Sequence, residues 1–276
     1  MARRKKKIRF KDLPKPIKIR KIITWVFMAI GIGCLGYFAF YVKQADDTQS
    51  NYEHLSDLKG TDYTKNKNNK KTLVVHLTHE EDAPDILDEY KTLYNNNKSL
   101  IGWVKIDDTL IDYPVMQSKS NDYYLNHNFN QEKDNNGSIF IDSECSIWPR
   151  SQNIIMYGHN MKSGKMFGEL KKYKQEEYAR THPYIFFDTL YDKGKYQVMY
   201  VFGDNVYDEV EVTFKYYQFI DANSEEEWES AMNDMAAKSL YETGVTAAYG
   251  EDIITLSTCD YEKDAERFVV VAKRVK

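Results

Sequence analysis

The stretch ITLSTCDYE, residues 254–262, poses the question on which the fold turns. Ile253 to Leu256 form a short apolar run of the kind a buried strand requires, and the run then meets Ser257, Thr258 and Cys259. A packing cysteine belongs inside an apolar run. Here it stands at the end of one, directly before the charged segment Asp260 to Asp264, where a sheet opens to solvent. A thiol in that position is a candidate nucleophile, provided a base or cation lies close enough to favour the thiolate. The structural alternatives are a Cys145–Cys259 disulfide, which an oxidising compartment permits, or two inert buried thiols.

The same pattern recurs upstream. In NIIMYGHNM, Ile154 to Met156 form an apolar strand that releases His159 at its end. Two parallel or neighbouring strands ending at one rim would bring His159 and Cys259 together despite their distance in sequence. Arg267 opens the run RFVVVAKRV, so a turn through DYEKDAE returns it beside the cysteine. A guanidinium there can donate two hydrogen bonds to the oxyanion of a tetrahedral intermediate. Taken alone, Arg267 reads better as a surface ion pair with Asp260, Glu262 or Asp264. His54, His76 and His79 fall in a linker-like segment, His182 precedes Pro183 in a turn, and His127 is either structural or at the rim. The His76-x-x-His79-Glu80 spacing fits neither zinc-protease arrangement, so no metal and no cofactor are expected.

Short β-like runs follow one another from residue 100: 100–106, 109–116, 137–142, 153–159, 184–190, 195–203, 211–220, 252–259 and 267–275. Turn residues such as Asn135-Asn136-Gly137 separate most of them. Eight or nine strands at this spacing predict a mainly β chain closed, or nearly closed, into a barrel. A short strand is also expected at 73–79. Helices are expected at 85–95, with Asp85 as cap and the Asn triplet as stop, within 164–180, and at 223–241. The last has Ser224 as cap, three glutamates in its first turn and Lys238 in its last, all suited to the helix dipole. Its stripe of Trp228, Met232 and Met235 reads as core packing.

The formal net charge of −4 conceals an asymmetry. Residues 1–21 hold eleven Lys or Arg against one Asp, which leaves −14 on the rest (−4 minus +10). An acidic body argues against nucleic acid as its partner. The basic tip is followed by Ile22 to Val42, 21 residues without a charge, with Trp25 near one end and Tyr37 and Tyr41 near the other. As a helix this spans about 31 Å, close to the hydrocarbon thickness of a bilayer. It is longer than the apolar region of a cleaved signal peptide. The expectation is a single-pass anchor with residues 1–21 cytoplasmic and the body outside the cell membrane. The expected divisions are a tail over 1–21, a transmembrane anchor over 22–42, a linker over 43–82 and a catalytic domain over 83–276, the linker being polar with the patch TKNKNNKK at 64–71.

TLSTC at 255–259, YGHN at 157–160 and Arg267 opening the last strand together resemble the signature of the sortases, membrane-anchored cysteine transpeptidases of Gram-positive bacteria. The likeness runs from about Pro84 to Val275. The leading helix, the CDYEKDAER stretch and the helix inserted before the TLSTC strand resemble class B in particular. The resemblance implies an eight-stranded sortase-type β-barrel with peripheral helices. It implies Cys259 as nucleophile, His159 as general acid and base, and Arg267 as the group holding substrate and oxyanion, with Ser257 and Thr258 shaping the floor. It implies partners as well: surface proteins with C-terminal sorting signals of NPxTN-like type, cleaved after Thr, and a peptidoglycan-precursor (lipid II-like) amine that resolves the thioacyl-enzyme. The segment around 213–250 would form one wall of the groove, and Cys145 would be a partly buried free thiol. The rivals are a tethered protease that hydrolyses the same thioester, a pilin-polymerising member of the class, and a non-catalytic β-barrel binding module.

Overall fold

The computed structural model describes residues 10, 13–60, 82–205, 207, 213–259 and 266–276. The strand expected at 73–79 lies outside them. The chain divides into two units, residues 1–50 and 51–276. The first is occupied by most of helix α1 (Lys15–Leu58), of which Lys15–Lys43 is long and apolar enough to cross a membrane by length and composition. Its large apolar side chains, Phe27 and Leu35 among them, are exposed along the helix.

The second unit is a closed barrel of eight strands: β1 (Leu100–Lys105), β2 (Asp112–Met116), β3 (Ile139–Ile141), β4 (Asn153–Tyr157), β5 (Tyr184–Thr189), β6 (Lys195–Asn205), β7 (Ile253–Cys259) and β8 (Glu266–Arg274). They close in the order β1-β2-β3-β4-β7-β8-β6-β5. The β2–β3 and β4–β7 pairs are parallel and the others antiparallel. Among the described residues, three further α-helices lie outside: α2 (Asp88–Asn96), α3 (Glu176–Thr181) and α4 (Glu225–Lys238).

Burial explains why the last strand is an unbroken apolar run. In β8, Phe268, Val270 and Ala272 face the barrel interior, while Val269 and Val271 face an outer core beneath α4. A strand covered on both faces loses the usual polar alternation. α4 presents Trp228, Ala231, Met232 and Met235 to that outer core, and the Trp228 indole N–H donates to the Ala247 carbonyl at 2.9 Å. The helix begins where its cap requires, with Ser224 Oγ accepting from the Glu227 amide at 3.2 Å.

Four sequence expectations change. Residues 213–220 form a loop with a 3-10 turn at Tyr216–Gln218 instead of a strand. Tyr216 and Phe219, three apart, both turn into the outer core, which suits the i,i+3 eclipse of a 3-10 turn. Asn153 secures the segment by donating its side-chain amide to Phe219 O at 2.7 Å and its backbone N–H to Ile220 O at 2.9 Å. The expected helix within 164–180 starts late, since Gly164 and Met166 both have positive φ, +85° and +53°, and is split at the extended Gln175 into a 3-10 turn at Leu170–Lys174 and α3. Asp85 does not cap α2, whose N-terminal boundary is Leu87. The segment from 43, expected as linker, is helical through Leu58, with Tyr52 and Leu55 buried in the main core.

Candidate active site

The parallel pairing of β4 with β7 places the two sequence candidates. Its register joins Asn153 to Ile253 and continues without a slip to Tyr157 and Ser257. The Gly158 amide then donates to Ser257 O at 3.2 Å, extending the ladder one step beyond the strand. His159 and Cys259 therefore stand at equivalent positions past the last paired residues. On the other side of β7, Cys259 is the register partner of Arg267, and Arg267 in turn is that of Asp204 on β6. The Asp204 carboxylate is engaged elsewhere: Lys238 Nζ donates to Oδ2 at 2.7 Å and the Tyr207 hydroxyl to Oδ1 at 2.6 Å.

Above this edge lies a groove of about 560 Å³ lined by His159, Arg267, Ser257 and Thr258 among others. Leu125, Phe140 and Tyr157 line it, as do Tyr216 to Gln218 and Ile220. The 213–220 loop is thus the part of the expected insertion that meets the groove, whereas α4 packs behind it. Ser257 Oγ lies 2.8 Å from the Tyr216 hydroxyl, and Thr258 Oγ1 is buried without a hydrogen-bond partner among the described residues. Both line the groove.

His159 is partly exposed, and its Nε2 lies 2.7 Å from the Leu125 carbonyl. A carbonyl can only accept, so Nε2 carries the hydrogen and the neutral ring keeps its lone pair on Nδ1. The approach to His159 needs glycine at 158: a Cβ there would come within 2.5 Å of Ile139 Cδ1 and 2.8 Å of the Phe167 ring. His127 and His182 do not line this groove; each stacks on a tyrosine four residues earlier, Tyr123 and Tyr178.

Asp142 is a wall residue that sequence reasoning missed. Although 5% exposed, its carboxylate accepts from Asn121 Nδ2 at 2.9 Å, the Tyr157 hydroxyl at 2.8 Å and the Glu144 amide at 2.9 Å. Burial, followed by the Asp142 charge, pushes the Tyr157 phenol above its ordinary value, so it remains a donor. Tyr157 lay in view within YGHN, but nothing in the sequence marks Asp142 or the Leu125 carbonyl. Cys145 is a free thiol and more deeply buried than expected. Its Sγ lies 3.5 Å from Asn153 O and accepts from the Ile155 amide at 3.4 Å, and desolvation pushes it up to about 12.

Residues 104–275 match the Sortase domain family. Sortase B of Listeria monocytogenes is 37% identical over 195 residues, covering 69% of this chain and 76% of the relative. Sortase B of Staphylococcus aureus is 32% identical over 190 residues, covering 68% and 75%. Among solved structures, a Staphylococcus aureus sortase B–substrate complex superposes with a TM-score of 0.69 at 28% identity, covering 85% of this chain and 99% of that one. Sortase B of Bacillus anthracis, in complex with AAEK1, gives 0.68 at 33% identity with the same coverage. The fold and the sequence matches agree on a class of protein, the cysteine transpeptidases. The chain belongs to the sortase family, and its relatives place it with the class B type.

Proposed function

We propose that this chain is a membrane-anchored transpeptidase that cleaves an NPxTN-like C-terminal sorting motif after Thr and transfers the protein to an amine of a peptidoglycan precursor. The observation that carries the reading is the shared edge: Cys259 opposite Arg267 across β7 and β8, with His159 released at the equivalent point of β4. His159 Nδ1 takes the Cys259 thiol proton, and the resulting thiolate attacks the Thr carbonyl. The Arg267 guanidinium donates to the oxyanion. As the intermediate collapses, the C–N bond breaks and His159 protonates the departing amine, leaving a thioester. An incoming amine then attacks the thioester, His159 takes its proton, and the Cys259 thiolate departs. With Nε2 held on the Leu125 carbonyl, Nδ1 is the nitrogen that moves the proton. Ser257 and Thr258 shape the floor beneath the scissile bond. Residues 22–42 form the anchor, residues 1–21 remain cytoplasmic under the positive-inside rule, and the barrel works outside the cell membrane.

The test uses the full chain in detergent and a panel of quenched peptides with NPxTN, SPxTG and LPxTG motifs, each with and without a peptidoglycan-like amine. Mass spectrometry should find a Thr–amine adduct from one motif, and none with Cys259→Ala. His159→Ala should lose nearly all activity and Arg267→Lys most of it, since lysine lacks the planar fork. Release of free Thr acid alone in the presence of amine would refute transfer, and turnover by Cys259→Ala would refute the mechanism.

A further inference from the structure

The Leu125 carbonyl that holds His159 belongs to a 3-10 turn, Tyr123–Leu125, whose own support comes from an unexpected part of the chain. Gly137 and Ser138 lie beneath it. Gly137 has a φ of +60°, and a Cβ there would come within 2.5 Å of Tyr124 O and 2.7 Å of Leu125 O, so its backbone packs directly against the two carbonyls. The Ser138 amide donates to Tyr124 O at 2.9 Å, and Ser138 Oγ donates to His127 O at 2.9 Å. Ser138 thus grips the turn on both sides of Leu125. Ser138 and Gly137 are in turn gripped by Tyr52, near the end of α1: its hydroxyl donates to Gly137 O at 2.9 Å and lies 3.1 Å from Ser138 Oγ.

We infer that Tyr52 is a positioning residue for His159, acting through Gly137, Ser138 and the Leu125 carbonyl. The contacts form a continuous series of hydrogen bonds and close backbone packing between two side chains 107 positions apart (159 minus 52). Tyr52 is 3% exposed, and its ring packs edge-on against Tyr113 with centroids 5.2 Å apart, so the hydroxyl has little freedom to leave its partners. Burial also keeps the phenol protonated well beyond the ordinary tyrosine range, which preserves the donor. The effect on the site is one of orientation. If Leu125 O moves, Nε2 loses its acceptor, and the ring is free to exchange the nitrogen that carries the lone pair.

The inference rests on the catalytic role proposed for His159, and its test separates the two. Tyr52→Phe in the full chain keeps the ring packing and removes the hydroxyl. Tyr90→Phe is the control, because it removes another buried hydroxyl bond, to Asp188 Oδ2 at 2.7 Å, with no link to the histidine. Kinetics with the cleaved peptide should show kcat lowered about fivefold by Tyr52→Phe, with KM within about twofold, and a shift in the histidine limb of the pH–rate profile. Tyr90→Phe should lower the melting temperature comparably and leave the profile in place. ¹⁵N-histidine NMR, with His159 assigned by the signal lost in His159→Ala, should show altered ring-nitrogen shifts in Tyr52→Phe alone. An unchanged His159 signal and profile in Tyr52→Phe would overturn the inference, as would equal changes in Tyr90→Phe. If no peptide is turned over, the proposed function fails while the NMR comparison still decides the positioning.

Discussion

Asp142 offers the sharpest energetic test of how the groove wall is held. Its carboxylate accepts three hydrogen bonds while 5% exposed, and two of the donors, Asn121 and Tyr157, belong to groove-lining side chains. A hydrogen bond to a charged group contributes about 1.5–3 kcal/mol net. Tyr157 and Asn121 are both partly exposed, so water replaces some of what each would lose. Asp142→Ala should therefore cost about 2–4 kcal/mol and Tyr157→Phe about 1–2 kcal/mol. Because the two share one hydrogen bond, their double variant should fall short of the sum by about 1–2 kcal/mol. Denaturant unfolding of the detergent-solubilised chain, followed by the fluorescence of Trp103, Trp148 and Trp228, measures all three. A coupling below about 0.5 kcal/mol with intact single effects would refute the bond as a structural support. Kinetics on the same variants should show KM rising before kcat falls, since the freed side chains line the groove and not its reactive edge.

Other variants probe separate parts of the fold. Gly158→Ala should cost about 1–3 kcal/mol, because its Cβ overlaps Ile139 Cδ1 and the Phe167 ring, and should depress kcat by displacing His159; calorimetry and single-turnover kinetics check both. Trp228→Ala should cost about 3–5 kcal/mol through the cavity left under α4, read as a fall in denaturation midpoint. The Cys145 thiol is held up to about 12, so the folded state keeps its proton more tightly than the unfolded state does. Its contribution is complete below the usual thiol range and disappears as pH climbs from about 9 toward 12, so Cys145→Ser or →Ala should flatten the alkaline loss of stability. At neutral pH, native Cys145 should resist alkylation until the protein is unfolded.

The barrel was legible because its strands announce themselves as short apolar runs between turn residues. β8 was plain from RFVVVAKRV, which is buried on both faces. The shared strand edge was legible too, because a polar or titratable residue at the end of an apolar strand stands out twice, at His159 and at Cys259. What escaped was conveyed by backbone groups or by distant pairing. The aromatic run at 213–220 has the composition of a strand, and only the outer core shows that Tyr216 and Phe219 must face the same way. Leu125 contributes a carbonyl, which any residue could supply. Tyr52 stands in a polar segment whose composition resembles a linker, and its burial depends on Tyr113 and Ser138, far away in sequence.

The uninterrupted β4–β7 ladder has a consequence for how this architecture tolerates change. The interval between its two strands contains α3, β5, β6 and α4, yet the placement of His159 against Cys259 is fixed by five successive backbone pairings. Exposed loops of that interval can lengthen or shorten without moving either residue. A single deletion inside β4 or β7 has no such latitude: it would draw the end of that strand back by about 3.3 Å and reverse the faces of every residue beyond it. Length is therefore free between the strands and rigidly counted within them.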